Sequence, residues 1–473
     1  MKTWMNRKER DQQAVDGRAN DATVDTARND GGSTSTEWDR SISMTDRTNL
    51  VGTGGFASTS GHFIYPPASA KWLKVAVISS YVPQQCGIAT FAEDLREALI
   101  ECTPSIQVDV VAVSKDPHLV RYPDEVVCSI TRDDWRSYLA AADFINLEEY
   151  DIVCLQHEFG LFGGPEGAYV VDMLRHVKVP VVTTLHTLLA NPSTEYDTRT
   201  KELIGCSDTV VTLSKRGLTL LSHVYHAPMA RAQWIPHGIP QIDYCDPAEG
   251  KERFGWNERN VLLTFGLIGP SKGIDLMLEA LPAIVSEHPD ALYVIAGATH
   301  PGVIAEHGES YRDDLKRTIV EKGLENHVEW IDRYMEDEEL IELLKACDVY
   351  ITPYKNRDQI SSGTLAYAFG AGRPVVSTGY WNAVDLLSNG RGHLVEFNDP
   401  DAIAHAVGAL VGDDEGRRAM SEKAYRFSRS MTWSSVAGEY CELFTNLSCR
   451  IPKIVSADQP WSGMATIVPT VTS

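Results

Sequence analysis

Short apolar runs alternate with amphipathic segments along most of the chain, and the first run begins abruptly at residue 72. The runs are rich in Val, Ile and Leu, which is typical of strands buried on both faces. The segments between them repeat apolar positions at three- and four-residue spacing, as amphipathic helices do. We predict strands at 72–83, 108–113, 151–158, 179–186, 208–214, 261–269, 290–298, 327–332, 348–354, 373–378 and 392–397. Strands alternating with helices in this way predict an α/β fold with parallel sheets.

The alternation is interrupted at 241–257, a polar stretch rich in Asp, Pro and Gly. This break divides the ordered chain into two Rossmann-like, doubly wound domains, which we place at 71–245 and 246–425. A closing helix is expected within 426–448, where "WSSVAGEYCELFTNL" has helical spacing. Residues 1–70 have the composition of a disordered N-terminal tail, and 449–473 are expected to form a C-terminal tail.

Composition excludes several classes of function. The chain has 473 residues, 43 Lys+Arg and 65 Asp+Glu, and a formal net charge of −22, opposite in sign to what a nucleic-acid binder needs. Its nine cysteines are scattered without a C-x-x-C pair, which argues against a disulfide framework or a zinc site and favours a reducing cytoplasm. No apolar run reaches the roughly 18 residues of a membrane span, and the polar N-terminus does not look like a secretory signal.

Ligands in doubly wound folds bind at the carboxyl ends of the strands, so the loops there are the candidate sites. In the first domain these are "PQQCGIATF", which contains Gly87 at a helix start, and the ends of two strands, His157 and His186. A histidine there can hydrogen-bond a sugar hydroxyl or stabilise charge. The alternative is that each is an ordinary packed residue of a turn.

Two loops of the second domain have the residue types of an anion site. "FGLIGPSKG" sets Lys272 among glycines just before a helix, and "SSGT" puts Ser362, Gly363 and Thr364 at another helix start. Free backbone amides and a nearby cation suit a phosphate. Alternatively, Lys272 is a solvated turn residue, and the hydroxyls are simple N-caps. No P-loop sequence is present.

The segments "CGIATFAEDL", "TLHTLL", "VTLS", "WIPHGIP", "FGLIGPSKG", "AGATHP" and "SSGTLAYAFGAGRPVVST", in this order over about 72–447, resemble the retaining GT-B glycosyltransferases of family four. The resemblance implies two domains facing each other across a cleft. A UDP-, GDP- or ADP-hexose donor would lie on the second domain and a hydroxyl acceptor on the first. It implies no metal or other cofactor. It also implies that a diphosphate anion leaves as an oxocarbenium-like sugar forms, with fixed cations and amides stabilising the charge.

The resemblance assigns roles to residues that match its motifs. His186 and Lys272 are the expected catalytic residues. The expected donor-binding residues are Gly266, Lys272, Arg333, Gln359, Ser362, Gly363, Thr364 and Tyr367, and the expected acceptor-binding residues are Gly87, Ile88 and His157.

The chain also departs from the family pattern. Leu267 stands where an Arg is common, and Gln359 and Tyr367 stand where two Glu are common. In the family the first Glu usually contacts the donor sugar and the second the ribose, so the resemblance implies that the Tyr367 hydroxyl contacts the ribose. Arg333 and Asp358 are candidates to compensate. The leading hypothesis is a cytoplasmic hexosyltransferase; the alternatives are a retaining sugar phosphorylase on the same fold and a catalytically silent sugar- or nucleotide-binding protein.

The acceptor and the assembly are less constrained by the sequence. Residues 71–240 carry 14 Lys+Arg and 21 Asp+Glu, a net charge of −7, which favours a soluble acceptor over a lipid and argues against membrane association. A homo-oligomer remains open.

Overall fold

The computed structural model describes residues 72–449. The predicted disordered tail at 1–70 and the tail beyond residue 449 lie outside the described residues. Two parallel sheets organise the described chain, and each is covered by helices on both faces. We call the parts built on them the first lobe (72–236) and the second lobe (246–431).

The first lobe has a seven-stranded parallel sheet in the order β3-β2-β1-β4-β5-β6-β7. Its strands are β1 (Leu73–Ser79), β2 (Ile106–Ser114), β3 (Val126–Thr131), β4 (Ile152–His157), β5 (Val181–Leu185), β6 (Thr209–Thr212) and β7 (Ala232–Trp234). Its helices are α1 (Gly87–Cys102), α2 (Trp135–Leu147), α3 (Ala168–His176), α4 (Thr194–Cys206) and α5 (Lys215–His223). The strand order reverses between β1 and β4, so a crevice opens at the carboxyl ends of these two strands.

The second lobe repeats this plan with six parallel strands in the order β10-β9-β8-β11-β12-β13. The strands are β8 (Asn260–Phe265), β9 (Ala291–Ala296), β10 (Val328–Ile331), β11 (Val349–Thr352), β12 (Val375–Thr378) and β13 (His393–Val395). The helices are α6 (Pro247–Lys251), α7 (Ile274–Glu287), α8 (Pro301–His307), α9 (Ser310–Glu321), α10 (Asp337–Lys345), α11 (Gly363–Gly370), α12 (Trp381–Leu387), α13 (Pro400–Val411) and α14 (Asp414–Ser428). The reversal here falls between β8 and β11.

The central strands are apolar because both of their faces are buried. All six residues of β4 and all six of β9 are buried. β3, at the sheet edge, instead alternates between half-buried and exposed positions and buries only Ile130, and β7 has only three half-buried residues. These two edge strands were not predicted, because a strand that is open on one side lacks a continuous apolar run.

The last helix, α15 (Trp433–Ser448), leaves the second lobe and packs on the first, against α1. Val436, Tyr440 and Phe444 are fully buried in the same core cluster as the strands β1 and β2. The Tyr440 hydroxyl hydrogen-bonds Thr184 Oγ1 of β5 at 2.8 Å. The helix therefore completes the core of the first lobe.

The fold-class prediction of two Rossmann-like sheets is confirmed. Among the described residues, no helix combines the length and the apolarity needed to cross a bilayer.

Candidate active site

The second lobe brings Gly266 and Lys272, on the loop after β8, together with Thr364 at the start of α11. Lys272 Nζ donates hydrogen bonds to the Tyr354 hydroxyl at 2.9 Å and to the Phe265 carbonyl at 3.2 Å. The Tyr354 hydroxyl in turn hydrogen-bonds Thr364 Oγ1 at 2.8 Å. Lys272 is thus held in place by the site and is not a freely solvated turn residue.

Glycine is required at the centre of this cluster. Gly266 has a φ of +112°, and a Cβ there would lie 2.8 Å from both Lys272 Nζ and Thr364 Cγ2. Gly273, which follows Lys272, has a φ of +68°, and a Cβ there would lie 2.1 Å from the Pro353 carbonyl oxygen. Both positions need the left-handed backbone region and the close approach that only glycine permits.

The start of α11 offers unpaired amides beside the lysine. Ser362 is the N-cap, and its Oγ accepts from the Leu365 amide at 3.3 Å, so the N-cap alternative for this serine is correct. Among residues 72–449, no acceptor is recorded for the amide hydrogens of Gly363 and Thr364. A helix N-terminus with free amides attracts an anion, and a cation at hand strengthens that attraction.

Tyr354 links the ammonium group to the helix start, and its acidity is altered by that position. Burial alone raises its pKa, but the Lys272 charge and the hydrogen bonds from Lys272, Thr364 and Ser362 outweigh burial and lower it to about 8. The hydroxyl is therefore more acidic than that of an ordinary tyrosine, and it keeps the Lys272 ammonium directed at the cluster.

His237, on the segment between the lobes, faces the same helix start. Its Nδ1 donates to the Gly238 carbonyl at 2.7 Å, which leaves Nε2 as the lone-pair nitrogen. A Cβ at Gly363 would lie 3.0 Å from that Nε2. Burial lowers the pKa of His237 to about 4, so the ring is neutral near pH 7.

On the first lobe, His186 follows β5 and is buried at the boundary between the lobes. Its Nε2 hydrogen-bonds Gln156 Oε1 at 2.9 Å, and its ring lies edge-on to Phe91. Burial, together with the neighbouring rings of His237 and His157, lowers the pKa of His186 to about 3. Ser361 Oγ of the second lobe donates to the His186 carbonyl at 3.0 Å. The site therefore holds a neutral imidazole close to the donor side.

His157, expected to bind an acceptor, is instead a packed ring. It is 1% exposed and stacks on Phe162 at 5.7 Å, with Phe159 edge-on. Its Nδ1 has no hydrogen-bond partner among the described residues, and burial lowers its pKa to about 3. The next residue, Glu158, is the one at this strand end that is partly exposed.

Gly87 and Ile88 begin α1, where the Cys86 Sγ acts as N-cap and accepts from the Ala89 amide at 3.4 Å. Gly87 is exposed, and a Cβ there would have no neighbour within 4 Å. The open space in front of this helix start suits a substrate group. Cys86 here is a capping and packing residue.

Tyr367 forms a contact between the lobes. Its hydroxyl donates to Asp94 Oδ2 of α1 at 2.7 Å; Tyr367 is buried and Asp94 is half-buried. Burial and the carboxylate of Asp337 raise the pKa of Asp94 well above its usual range, although the Tyr367 hydrogen bond opposes this. The hydroxyl that the resemblance would place on a ribose is thus occupied by Asp94.

Arg333 and Gln359, which were expected to bind the donor, are bonded to other groups of the protein. Arg333 is half-exposed and forms an ion pair with Glu339, at the start of α10. Gln359 Nε2 donates to the Ser361 carbonyl at 3.0 Å, within its own loop. The compensating role expected for Arg333 is not supported by this arrangement, because its charge is already paired with Glu339.

Three residues of the site were missed in the sequence. Tyr354 ends the run "DVYITPY", which reads simply as a buried strand, and His237 lies in "WIPHGIP" without a motif of its own. Glu158 lies next to His157 in "QHEFG", and only the histidine was considered as a candidate at that strand end. The available signal was position: all three follow or approach a strand end, the place where ligands bind.

Among residues 72–449, no cluster of His, Cys, Asp and Glu has the arrangement of a metal site. The chemistry that the residues do offer is hydrogen bonding and charge stabilisation around an anion, from Lys272 and the amides at the start of α11.

Comparison with known proteins identifies the class of this site. Residues 248–427 match the family model described as glycosyl transferases group 1, and this range includes Gly266, Lys272 and the whole of α11. The chain is a glycosyltransferase with the GT-B fold. Its enzyme class and its use of the two-sheet architecture therefore agree with the expectation from sequence.

Individual relatives of this glycosyltransferase are distant. It is 23% identical over 372 residues to a D-inositol 3-phosphate glycosyltransferase of Corynebacterium glutamicum, covering 72% of this chain and 84% of that protein. It is 29% identical over 227 residues to a GDP-mannose-dependent alpha-(1-6)-phosphatidylinositol monomannoside mannosyltransferase of Mycolicibacterium smegmatis, covering 46% and 56%. The structure of Alr3699/HepE from Anabaena in complex with UDP is similar in fold, with a TM-score of 0.62, 16% identity, and coverage of 79% and 100%.

Proposed function

We propose that this glycosyltransferase is a retaining hexosyltransferase that moves a sugar from a nucleoside-diphosphate hexose to a hydroxyl group of its acceptor. The observation that carries the proposal is the Lys272–Tyr354–Thr364 chain of hydrogen bonds at the open start of α11. The related proteins support it, because one is named for GDP-mannose and another was solved with UDP.

The geometry suggests how the leaving group is stabilised. A diphosphate beside Lys272 Nζ and the Gly363 and Thr364 amides meets one full charge and the positive end of a helix. Negative charge on the leaving phosphate grows as its bond to the anomeric carbon breaks, so these fixed donors bind the transition state more strongly than the ground state. Tyr354 keeps the ammonium aimed at the cluster, and Gly266 permits the close approach.

His186 would lie beside the sugar that is transferred. Its neutral ring, fixed by Gln156, cannot repel a developing oxocarbenium ion as an imidazolium would. In a front-face mechanism the departing phosphate oxygen takes the acceptor's proton, and no pair of catalytic carboxylates is required, unlike in glycoside hydrolases. The donor then lies on the second lobe and the acceptor on the first, near Gly87 and Ile88.

A donor screen tests this proposal. The purified protein is incubated with UDP-, GDP- and ADP-hexoses and a pool of hydroxyl acceptors, and the products are identified by mass spectrometry. Thermal shifts with UDP, GDP, ADP and orthophosphate are measured in parallel. We expect one nucleotide to stabilise the protein and its sugar to be transferred; stabilisation by orthophosphate alone would instead support a sugar phosphorylase.

Lys272→Ala tests the assigned residue. Loss of one fixed donor at a developing anion lowers turnover by about 10²- to 10³-fold. Lys322→Ala is the matched control, because Lys322 pairs with Glu279 on the surface of the second lobe. Turnover in Lys272→Ala equal to that of the control would refute the role of Lys272.

A further inference from the structure

Glu158 places a carboxylate at the edge of the first sheet that faces the second lobe. It directly follows β4, and its two oxygens accept from Thr187 Oγ1 at 2.8 Å and from the Phe159 amide at 2.8 Å. Thr187 follows His186, whose carbonyl accepts from Ser361 of the second lobe. The Glu158 carboxylate therefore binds a residue, Thr187, that is the immediate neighbour of His186, where the two lobes touch.

The loops that adjoin Glu158 on the first lobe carry no positively charged side chain. The loops after β1, β4 and β5, residues 80–90, 157–164 and 186–193, contain no Lys and no Arg. Among the described residues the contacts of Glu158 are hydrogen bonds from uncharged groups, and the nearby rings of His157 and His186 are neutral. Burial raises the pKa of Glu158 to about 7. A largely buried carboxylate without a cation costs stability, which is typical of a group kept for binding.

The hydrogen-bonding capacity of this carboxylate is only partly used. An ionised carboxylate has about four acceptor positions, and two are occupied. Sugar hydroxyls are suitable donors for the remaining positions, since each can donate one hydrogen bond to a carboxylate oxygen. A phosphate ester at the same place would meet a like charge with no cation to offset it.

We propose that the loops after β1, β4 and β5 form the acceptor subsite, that Glu158 accepts hydrogen bonds from hydroxyls of the acceptor, and that this acceptor is an uncharged polyol or sugar. This inference rests on the proposed transferase function and names its acceptor class. Glu158, and not the packed His157 ring, is then the acceptor-binding residue at the end of β4. The subsite excludes phosphorylated acceptors by charge.

Two matched acceptor pools test the class. One contains free hexoses, disaccharides and myo-inositol, and the other contains the monophosphate esters of the same compounds. With the donor found in the screen, we expect transfer into the uncharged pool at a rate at least about 10-fold above that into the phosphorylated pool. Preferential transfer to phosphate esters, or transfer to neither pool while the donor is still hydrolysed, would overturn the proposal.

Variants test the residue. Glu158→Gln should raise the acceptor KM by about 10- to 100-fold, since it removes a charge-assisted hydrogen bond, and should narrow the preference for uncharged over phosphorylated acceptors. Glu158→Asp retains the negative charge, but its shorter side chain places the carboxylate farther from the acceptor. It should therefore raise the acceptor KM and preserve the preference for uncharged over phosphorylated acceptors. Glu101→Gln, an exposed carboxylate at the end of α1, is the control. An unchanged KM and an unchanged preference in Glu158→Gln would overturn the assignment.

Nucleotide binding separates this inference from the function on which it rests. Glu158 is on the first lobe, so its variants should keep the wild-type thermal shift with the donor nucleotide. A wild-type protein that binds no nucleotide refutes the transferase proposal itself. Normal nucleotide binding with unaltered acceptor selectivity in Glu158→Gln refutes the acceptor subsite alone.

Discussion

Replacing Glu158 by Gln should make the protein more stable near neutral pH while weakening its function. The substitution keeps the shape of the side chain. The Gln oxygen can still accept from the Phe159 amide, and its NH₂ group can donate to Thr187 Oγ1, since a hydroxyl also accepts. What the substitution removes is a buried negative charge that no cation offsets.

The magnitude follows from the pKa. Burial raises the pKa of Glu158 from 4.5 to about 7, and one pKa unit corresponds to about 1.4 kcal/mol. Because the folded state holds this proton more tightly than the unfolded state, the free energy of unfolding falls as pH rises from 4.5 to about 7. The full loss is present above pH 7. With some solvent access to the side chain, we expect Glu158→Gln to gain about 1–3 kcal/mol there and about a quarter of that near pH 5, where the unfolded-state carboxyl is already largely ionised.

The neighbouring histidines do not obscure this effect. The pKa values of His157, His186 and His237 lie at about 3, 3 and 4, so these rings stay neutral from about pH 5 to about pH 7.5. The titratable groups far from Glu158 ionise in the same way in the wild type and in Glu158→Gln. The difference in unfolding free energy between variant and wild type therefore reports on Glu158.

Urea unfolding of the wild type, Glu158→Gln and Glu101→Gln, at about pH 5 and about pH 7.5, measures the difference. The expected pattern is a gain in unfolding free energy for Glu158→Gln that is several-fold larger at the higher pH, with no such change for Glu101→Gln. A gain of equal size at both pH values, or a wild type that is the more stable protein at the higher pH, would refute the argument from the buried charge.

Three further substitutions test other contacts. Gly266→Ala should destabilise by about 1–3 kcal/mol and abolish the nucleotide-induced thermal shift, whereas Gly255→Ala, at a φ of +74° with open space around it, should cost strain alone and keep the shift. Tyr367→Phe should lower the free energy of unfolding by about 1–3 kcal/mol by leaving Asp94 without its donor, while Asp94→Asn, which can still accept, should cost less; equal losses would contradict this reading. Tyr440→Phe should cost about 1 kcal/mol, measured by urea unfolding, through loss of its bond to Thr184; no measurable change would show that this bond contributes nothing.

The sequence predicted the fold and the donor-side cluster for one physical reason. Parallel strands end at the same edge of a sheet, so Lys272 after β8 and Ser362–Thr364 after β11 had to lie near each other, although about 90 residues separate them. Residue type then indicated an anion site. No knowledge of how the lobes pack was needed for that step.

Contacts between the lobes could not be read in this way. Tyr367 and Asp94 are 273 positions apart, and their hydrogen bond depends on the placement of one sheet against the other. The pattern along the chain specifies which face of each helix is apolar, but not which polar atom on a distant lobe will meet Tyr367. The assignment of this hydroxyl to a ribose was made without that information.

His157 and Glu158 show a second limit. Both stand at the end of β4, and successive residues of an extended chain point in opposite directions, so one packs inward when the other faces the cleft. From residue type alone, we expected the histidine to be the acceptor-binding residue, because its ring can hydrogen-bond a sugar hydroxyl. The stacking of His157 on Phe162, a tertiary contact, shows that the histidine is the one that packs inward, and this is why we propose Glu158.

The return of α15 to the first lobe also constrains how the protein can be made. The core of the first lobe includes Val436, Tyr440 and Phe444, which the ribosome adds about 200 residues after β7. At roughly 5–20 residues per second, the first lobe waits on the order of 10–40 s for its last packing partner. During that interval the apolar surface of α1 that α15 later covers stays exposed to solvent.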